Sequence, residues 1–225
     1  SRSLCRGSFL FSLECGLLLI NMNKVAIDIV LLPPDEIVDL AIQLNRDLSD
    51  SGRNEIKLGK SEGEAMPHMT LVMGCVEEIG LGKIERIMGS FIEDLAILDL
   101  EIYGVDTEKI RGDITVSSLG IQKIDEIQKL HENVGNELKG FFSGGASREM
   151  FYNPPGVSME EFSYIDKFFE VAGGEKFYPH ITIGLGEMQD RSVKFPIMFR
   201  AEKIAICHLG DYYTCRKVLW YKNLR

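Results

Sequence analysis

Pro67-His68-Met69-Thr70-Leu71 and Pro179-His180-Ile181-Thr182-Ile183 are one five-residue phrase written twice, 112 positions apart (from 68 to 180). Each is a proline followed by His-x-Thr-x, with apolar residues at both x positions. The chain holds four histidines, and two of them stand in this phrase. In a strand, side chains alternate faces with period two. His and Thr at i and i+2 therefore share one face. Met69/Leu71 and Ile181/Ile183 take the other, where they can enter a core. Each copy presents a proton-transfer group beside a hydroxyl, and two copies give a symmetric pair.

The sequence around the phrases reads as alternating strands and helices. Val25–Leu32 is a short apolar run closed by Pro33-Pro34, which predicts a buried strand. Asp35 can cap a helix with the stripe Ile37, Ala41, Leu44, Leu48, and Gly52 lies just past its end. Residues 50–66 are polar and Gly-rich and read as a mobile loop. The first His-x-Thr strand runs to about Cys75, and Ile84, Ile87, Met88, Phe91, Ile92 and Leu95 mark a second helix. Leu98, Leu100 and Ile102 alternate with Asp99 and Glu101 as a half-buried strand, with Asp113–Leu119 as its neighbour. Ile124, Ile127, Leu130, Val134 and Leu138 define a helix ending near Gly140. After a loop over 141–157, Ser158 and Glu161 form a capping box for a helix through about Ala172. The second His-x-Thr strand follows, then strands near Lys203–Leu209 and Lys217–Lys222. The motif spacing is about half the chain. Together these elements imply an α+β fold of two related, pseudo-symmetric lobes, each an antiparallel sheet backed by helices.

Composition narrows the function. A 45% apolar and 26% charged chain of 225 residues is ordinary for a globular protein. A net charge of −9 argues against a broad grip on long duplex nucleic acid, which depends on Lys and Arg neutralising phosphates. It leaves room for a nucleotide or an RNA end. The five cysteines (Cys5, Cys15, Cys75, Cys207, Cys215) are odd in number and scattered, indicating neither a disulfide framework nor a zinc site. A reducing, cytoplasmic setting fits them best. Residues 1–21 carry Arg2, Arg6 and an apolar run that loosely resembles a signal peptide. Glu14 interrupts that run, however, and no small-x-small site follows. Met22 then opens MNKVAIDIVLLPP, which reads like a natural start. Residues 1–21 are therefore read as an upstream extension and 22–225 as one bilobal domain, a monomer without a membrane span.

Two imidazoles on one cleft suit acid–base chemistry, because histidine titrates near neutrality and one copy can be neutral while the other is protonated. Phosphodiester cleavage needs that combination. One His takes a proton from the attacking oxygen, and the other gives one to the leaving oxygen on the far side of phosphorus. The Thr hydroxyls could hold the non-bridging oxygens. A metal site is the competing use of two histidines, but no carboxylate or Cys sits at ligand spacing in either phrase.

The spaced pair of His-x-Thr-x motifs resembles the 2H phosphoesterase superfamily, above all its 2′-5′ RNA ligase-like, RNA 2′,3′-cyclic phosphodiesterase branch. The resemblance covers the order of elements from about residue 23 onward. It implies a two-lobed fold with a central cleft, metal-independent chemistry without a cofactor, and cyclic-phosphate or 2′-5′-linked nucleotide substrates. Carried over by position, His68 and His180 are the catalytic histidines, and Thr70 and Thr182 bind phosphate. Ligation of RNA ends through a 2′-5′ bond, or binding of an RNA end without turnover, would use the same residues.

The other candidates carry bland readings beside sharp ones. Tyr178, two positions before His180, would share the catalytic face and could stack on a base, or could simply pack at the strand's start. Arg148, Phe151 and Tyr152 occupy a loop and could touch phosphate or base, although solvated loop residues are commoner. Lys60 is a weaker candidate. His131 reads as a surface or partly packed helix residue, His208 as structural, and Trp220 and Tyr221 as core and edge of the last strand.

Overall fold

The computed structural model describes residues 23–49, 54–93, 95–111, 114–153, 159–188 and 193–225. The proposed extension, Gly52, Ser158 and the double proline at 154–155 lie outside the described residues. The apolar run after Asn23 forms β1 (Lys24–Leu32), closed by the two prolines, and α1 (Asp35–Ser49) follows. Its stripe Ile37, Ala41, Leu44 and Leu48 is buried to 2% exposure or less. Next come β2 (Met69–Glu77), α2 (Leu81–Phe91), β3 (Leu98–Arg111), β4 (Ile114–Ile121) and α3 (Asp125–Leu138). The chain continues through α4 (Met159–Asp166), α5 (Phe168–Val171), β5 (His180–Leu185), β6 (Ile197–Ala201), β7 (Lys203–Leu209) and β8 (Cys215–Asn223).

The strands form two antiparallel four-stranded sheets, ordered β2-β1-β7-β8 and β5-β4-β3-β6. Each motif strand is an edge strand, in the same place in its sheet. The helices cross over: α1, from the first lobe, packs on β5, and α3, from the second, packs on β2. The apolar positions of both phrases, Met69, Leu71, Ile181 and Ile183, are buried in one continuous core. Removing such side chains from water stabilises the core at roughly 25 cal/mol per Å² of apolar surface.

The two edge strands carry the same irregularity. Between β1 and β2, Ile29 pairs with Val72 and Val30 with Thr70, so Leu71 is skipped. Between β4 and β5, Ser117 pairs with Gly184 and Ser118 with Thr182, so Ile183 is skipped. Leu71 and Ile183 are the same position of the two phrases. A bulge of this kind bends the strand and re-aims the side chains beside it.

Several expectations change. The helix expected through Ala172 breaks at Lys167, whose backbone (φ −110°, ψ 14°) leaves the helical region, and a short second helix carries buried Phe168. β6 is a strand not expected from the sequence, because five residues with Met198 and Arg200 in alternation carry little strand signal. In place of a mobile loop, residues 54–66 are pinned where described, with Ile56 and Ala65 buried. Cys207 and Cys215 form a disulfide where none was expected. Neighbouring strands β7 and β8 bring them together, because a register slip sets Leu209 opposite Cys215 and places the two Cα atoms 5.5 Å apart. Among the described residues no helix is long and apolar enough to cross a membrane.

Candidate active site

Strand alternation delivers the side chains the sequence implied. His68, Thr70, His180 and Thr182 are all partly exposed, while their apolar neighbours are buried. The two imidazoles are held identically. His68 donates its Nδ1–H to the carbonyl oxygen of Met66 at 2.7 Å, and His180 donates its Nδ1–H to that of Tyr178 at 2.8 Å. A carbonyl only accepts, so Nδ1 carries the proton in each ring and Nε2 is the nitrogen left for chemistry.

The electrostatics of the two rings differ. Burial pushes the His68 pKa down to about 4, the Met66 carbonyl opposes that shift, and His180 lowers it further. The two rings are thus close enough that charge on one disfavours charge on the other. Burial also lowers the His180 pKa, but the Tyr178 carbonyl and the carboxylates of Glu108 and Asp106 all work to hold a proton there.

Behind the first phrase lies Asp28, fully buried on β1. Its Oδ2 shares a 2.6 Å hydrogen bond with Thr70 Oγ1 and stands 3.6 Å from His68 Nε2. That second distance suits an ion pair, yet burial drives both partners toward neutrality, with the Asp28 carboxyl well above its ordinary value. We read the contact as two groups each favouring its uncharged form.

Beside the second phrase, the Tyr178 ring stacks on His180, with centroids 5.1 Å apart and planes inclined by 21°. Its hydroxyl and that of Tyr103 both bond to Asp106 Oδ2, and the two hydroxyls are 3.2 Å apart. Gly120, opposite His180 in the register, makes this possible: a Cβ there would meet Tyr103 and Asp106 within 2.4 Å. Tyr178 and Tyr103 remain 41% and 40% exposed, a partly open aromatic surface at the histidine.

The remaining candidates divide cleanly. Phe151 is core, packed on Phe162. Tyr152 donates its backbone N–H to Leu209 and turns its ring edge-on to His208. Arg148 sits on an exposed turn. Lys60 pairs with Asp39 at 2.7 Å. His208 Nε2 bonds to the Met150 carbonyl, a structural role. Trp220 is half-buried and Tyr221 exposed. His131, expected near the surface, is 2% exposed with both ring nitrogens engaged. Among the described residues no group of three or more His, Cys, Asp or Glu is placed to hold a metal ion.

Asp28, Tyr103, Asp106 and Glu108 join the site without a motif that marks them in the sequence. Asp28 had a signal: it is the one charged residue inside the apolar run Val25–Leu32. The others lie on the part of β3 beyond Ile102, where the alternation that marked the strand fades.

No protein-family model matches this sequence, and no curated protein does. Solved structures do. TT0787 of Thermus thermophilus superposes with a TM-score of 0.57 at 14% identity, over 89% of this chain and 98% of that one. LigT of E. coli in its apo form gives 0.53 at 13% identity, over 90% and 98%. LigT complexed with 3′-AMP gives 0.50 at 13% identity, over 90% and 97%. The chain has the two-lobed fold of LigT. These neighbours belong to the 2H phosphoesterase superfamily, and the LigT-type fold is the architecture expected from the repeated phrase. At such identity the likeness is one of fold.

Proposed function

We propose that this chain is a phosphodiesterase that opens 2′,3′-cyclic phosphates on RNA ends or nucleotides, using side chains alone. The observation that carries the reading is the matched pair of imidazoles, each anchored through Nδ1 to a carbonyl two residues back, which leaves Nε2 as the nitrogen for proton transfer. The LigT-type fold supports it, as does the binding of 3′-AMP by LigT itself.

His68, held neutral by burial, is the general base: its Nε2 takes a proton from water as that oxygen bonds to phosphorus. His180, whose carboxylate neighbours favour the proton, is the general acid. Its Nε2–H passes to the ribose oxygen as the P–O bond breaks, leaving a phosphomonoester. Solvent then restores both protonation states. Thr70 and Thr182 hold the non-bridging oxygens, where the transition state concentrates charge. Tyr178 offers a stacking surface for the base next to the scissile phosphate.

Incubation with a 2′,3′-cyclic nucleotide in the presence of chelator, followed by phosphorus NMR, tests the reading. We expect the cyclic diester signal to be replaced by a single phosphomonoester. An unchanged diester at high enzyme concentration overturns it. Tight binding without turnover would favour an RNA-end binder, and joining to a 5′-hydroxyl partner would favour ligation.

A further inference from the structure

The pseudo-symmetry of the two lobes fails behind the first threonine. Aligning His68 with His180 and the skipped Leu71 with Ile183 sets Met73 against Leu185. Their cross-strand partners are Asp28 and Val116. One lobe therefore buries a carboxyl behind its phosphate-binding threonine, where the other has an apolar side chain.

The surroundings of Asp28 say what form that carboxyl takes. It is 0% exposed, its Oδ1 has no hydrogen-bond partner, and no Lys or Arg pairs with it among the described residues. Met73 faces it from β2, and Cys207, locked in its disulfide, from β7. The titratable groups that reach it are His68, beside β2, and Tyr164 on α4, whose hydroxyl burial holds in the neutral form. A buried, unpaired carboxylate carries a desolvation cost that a carboxylic acid avoids. An ionised Asp28 could only accept, so it would consume the Thr70 hydroxyl hydrogen and set a negative charge beside an anionic substrate.

We infer that Asp28 is a positioning residue: as a neutral acid it gives its proton to Thr70 Oγ1, and the hydroxyl hydrogen of Thr70 is thereby turned to a phosphate oxygen. The inference rests on the phosphodiesterase reading for its substrate and on the 2.6 Å contact for its geometry. It also distinguishes the lobes. Thr70 is a donor oriented in advance, whereas the position matching Asp28 in the other lobe is Val116, so the phosphate is seated asymmetrically between the two motifs.

The test compares Asp28→Asn, Asp28→Val and Thr70→Val for binding of inorganic phosphate and for kcat and KM on a cyclic nucleotide. Asparagine keeps a donor toward Thr70 Oγ1 and carries no charge. Asp28→Asn should therefore stay within about threefold of the parent in both measurements. Asp28→Val should lose about tenfold in phosphate affinity, and should lose nothing more in a Thr70→Val background. Asp28→Asn as impaired as Asp28→Val would mean that the charge is needed, and would overturn the inference. So would an equal loss from Asp28→Val with and without Thr70, or a parent protein that binds no phosphate. If Asp28→Val does not fold, the asparagine result decides alone. A parent protein that binds phosphate but cleaves no diester overturns the phosphodiesterase reading instead, and the affinity series still decides Asp28.

Discussion

His131 donates its Nδ1–H to the carbonyl oxygen of Leu71 at 2.7 Å, tying a helix of one lobe to the bulge of the other. Its Nε2 accepts the Gly174 N–H at 3.1 Å, and its ring stacks on Phe177 at 4.2 Å. Asn45 is the counterpart across the pseudo-twofold. From α1 it donates to the carbonyl of Ile183, the matching bulge residue, at 2.7 Å, and to that of Ile56 at 2.8 Å. Each bulge breaks the regular ladder, and a buried polar side chain from the opposite lobe takes up the carbonyl at that point. The clamps fix the strand segments that carry the histidines and threonines.

His131→Ala should accordingly destabilise the fold by about 2–4 kcal/mol, because it strands a buried carbonyl and N–H and leaves a cavity beside Phe177. Urea unfolding measures this, and a loss well under 1 kcal/mol would contradict the clamp. The variant should also lower kcat more than it raises KM, since the first motif strand loses its anchor.

The pH dependence of kcat/KM follows from the two histidines. This parameter reports the free enzyme's groups. The base works once His68 has lost its proton, above about 4. The acid works while His180 keeps its proton, and that limb falls below the ordinary histidine value of about 6.5. The profile should be a bell with its maximum on the acid side of neutrality. A plateau extending to pH 8 would contradict these assignments.

Stability should decline on acidification. His68, His131, His180 and His208 all have pKa values lowered by burial. Below about 6.5 the unfolded chain binds protons that the folded chain refuses, so folded stability falls with pH through that window, down to about 4 for His68. Asp28, with its raised value, contributes a slope of the opposite sign, one group against four. Calorimetry between pH 7.5 and 5 should show a falling Tm; a flat or rising Tm would count against the lowered histidine pKa values.

Tyr178 separates stacking from hydrogen bonding. Tyr178→Phe keeps the ring on His180 and loses the bond to Asp106. Tyr178→Ala loses both, and should raise KM for a cyclic nucleotide by roughly tenfold, given about 1–3 kcal/mol per stacked base. An alanine variant with unchanged KM would return Tyr178 to a packing role.

Much of this was readable from period-two and helical spacing. Met69, Leu71, Ile181 and Ile183 had to be buried if His68, Thr70, His180 and Thr182 shared the other face, and the stripes of α1, α2 and α3 announced themselves. What escaped depends on contacts between distant segments. His131 looked like any polar helix residue until Leu71 offered it a carbonyl 60 positions away. The Cys207–Cys215 pairing turns on a register slip between β7 and β8 that composition does not encode. Asp28 stood out in its apolar run, but only the fold sets it behind Thr70.

The central claim is that His68 and His180 form one acid–base unit. Single-turnover cleavage of a 2′,3′-cyclic nucleotide by the parent, His68→Ala, His180→Ala and the double variant tests it most directly. Each single variant should lose about 10²–10⁴-fold in rate, and the double should be little slower than either single, because the two groups act in one step. Full activity in either single variant would contradict the account.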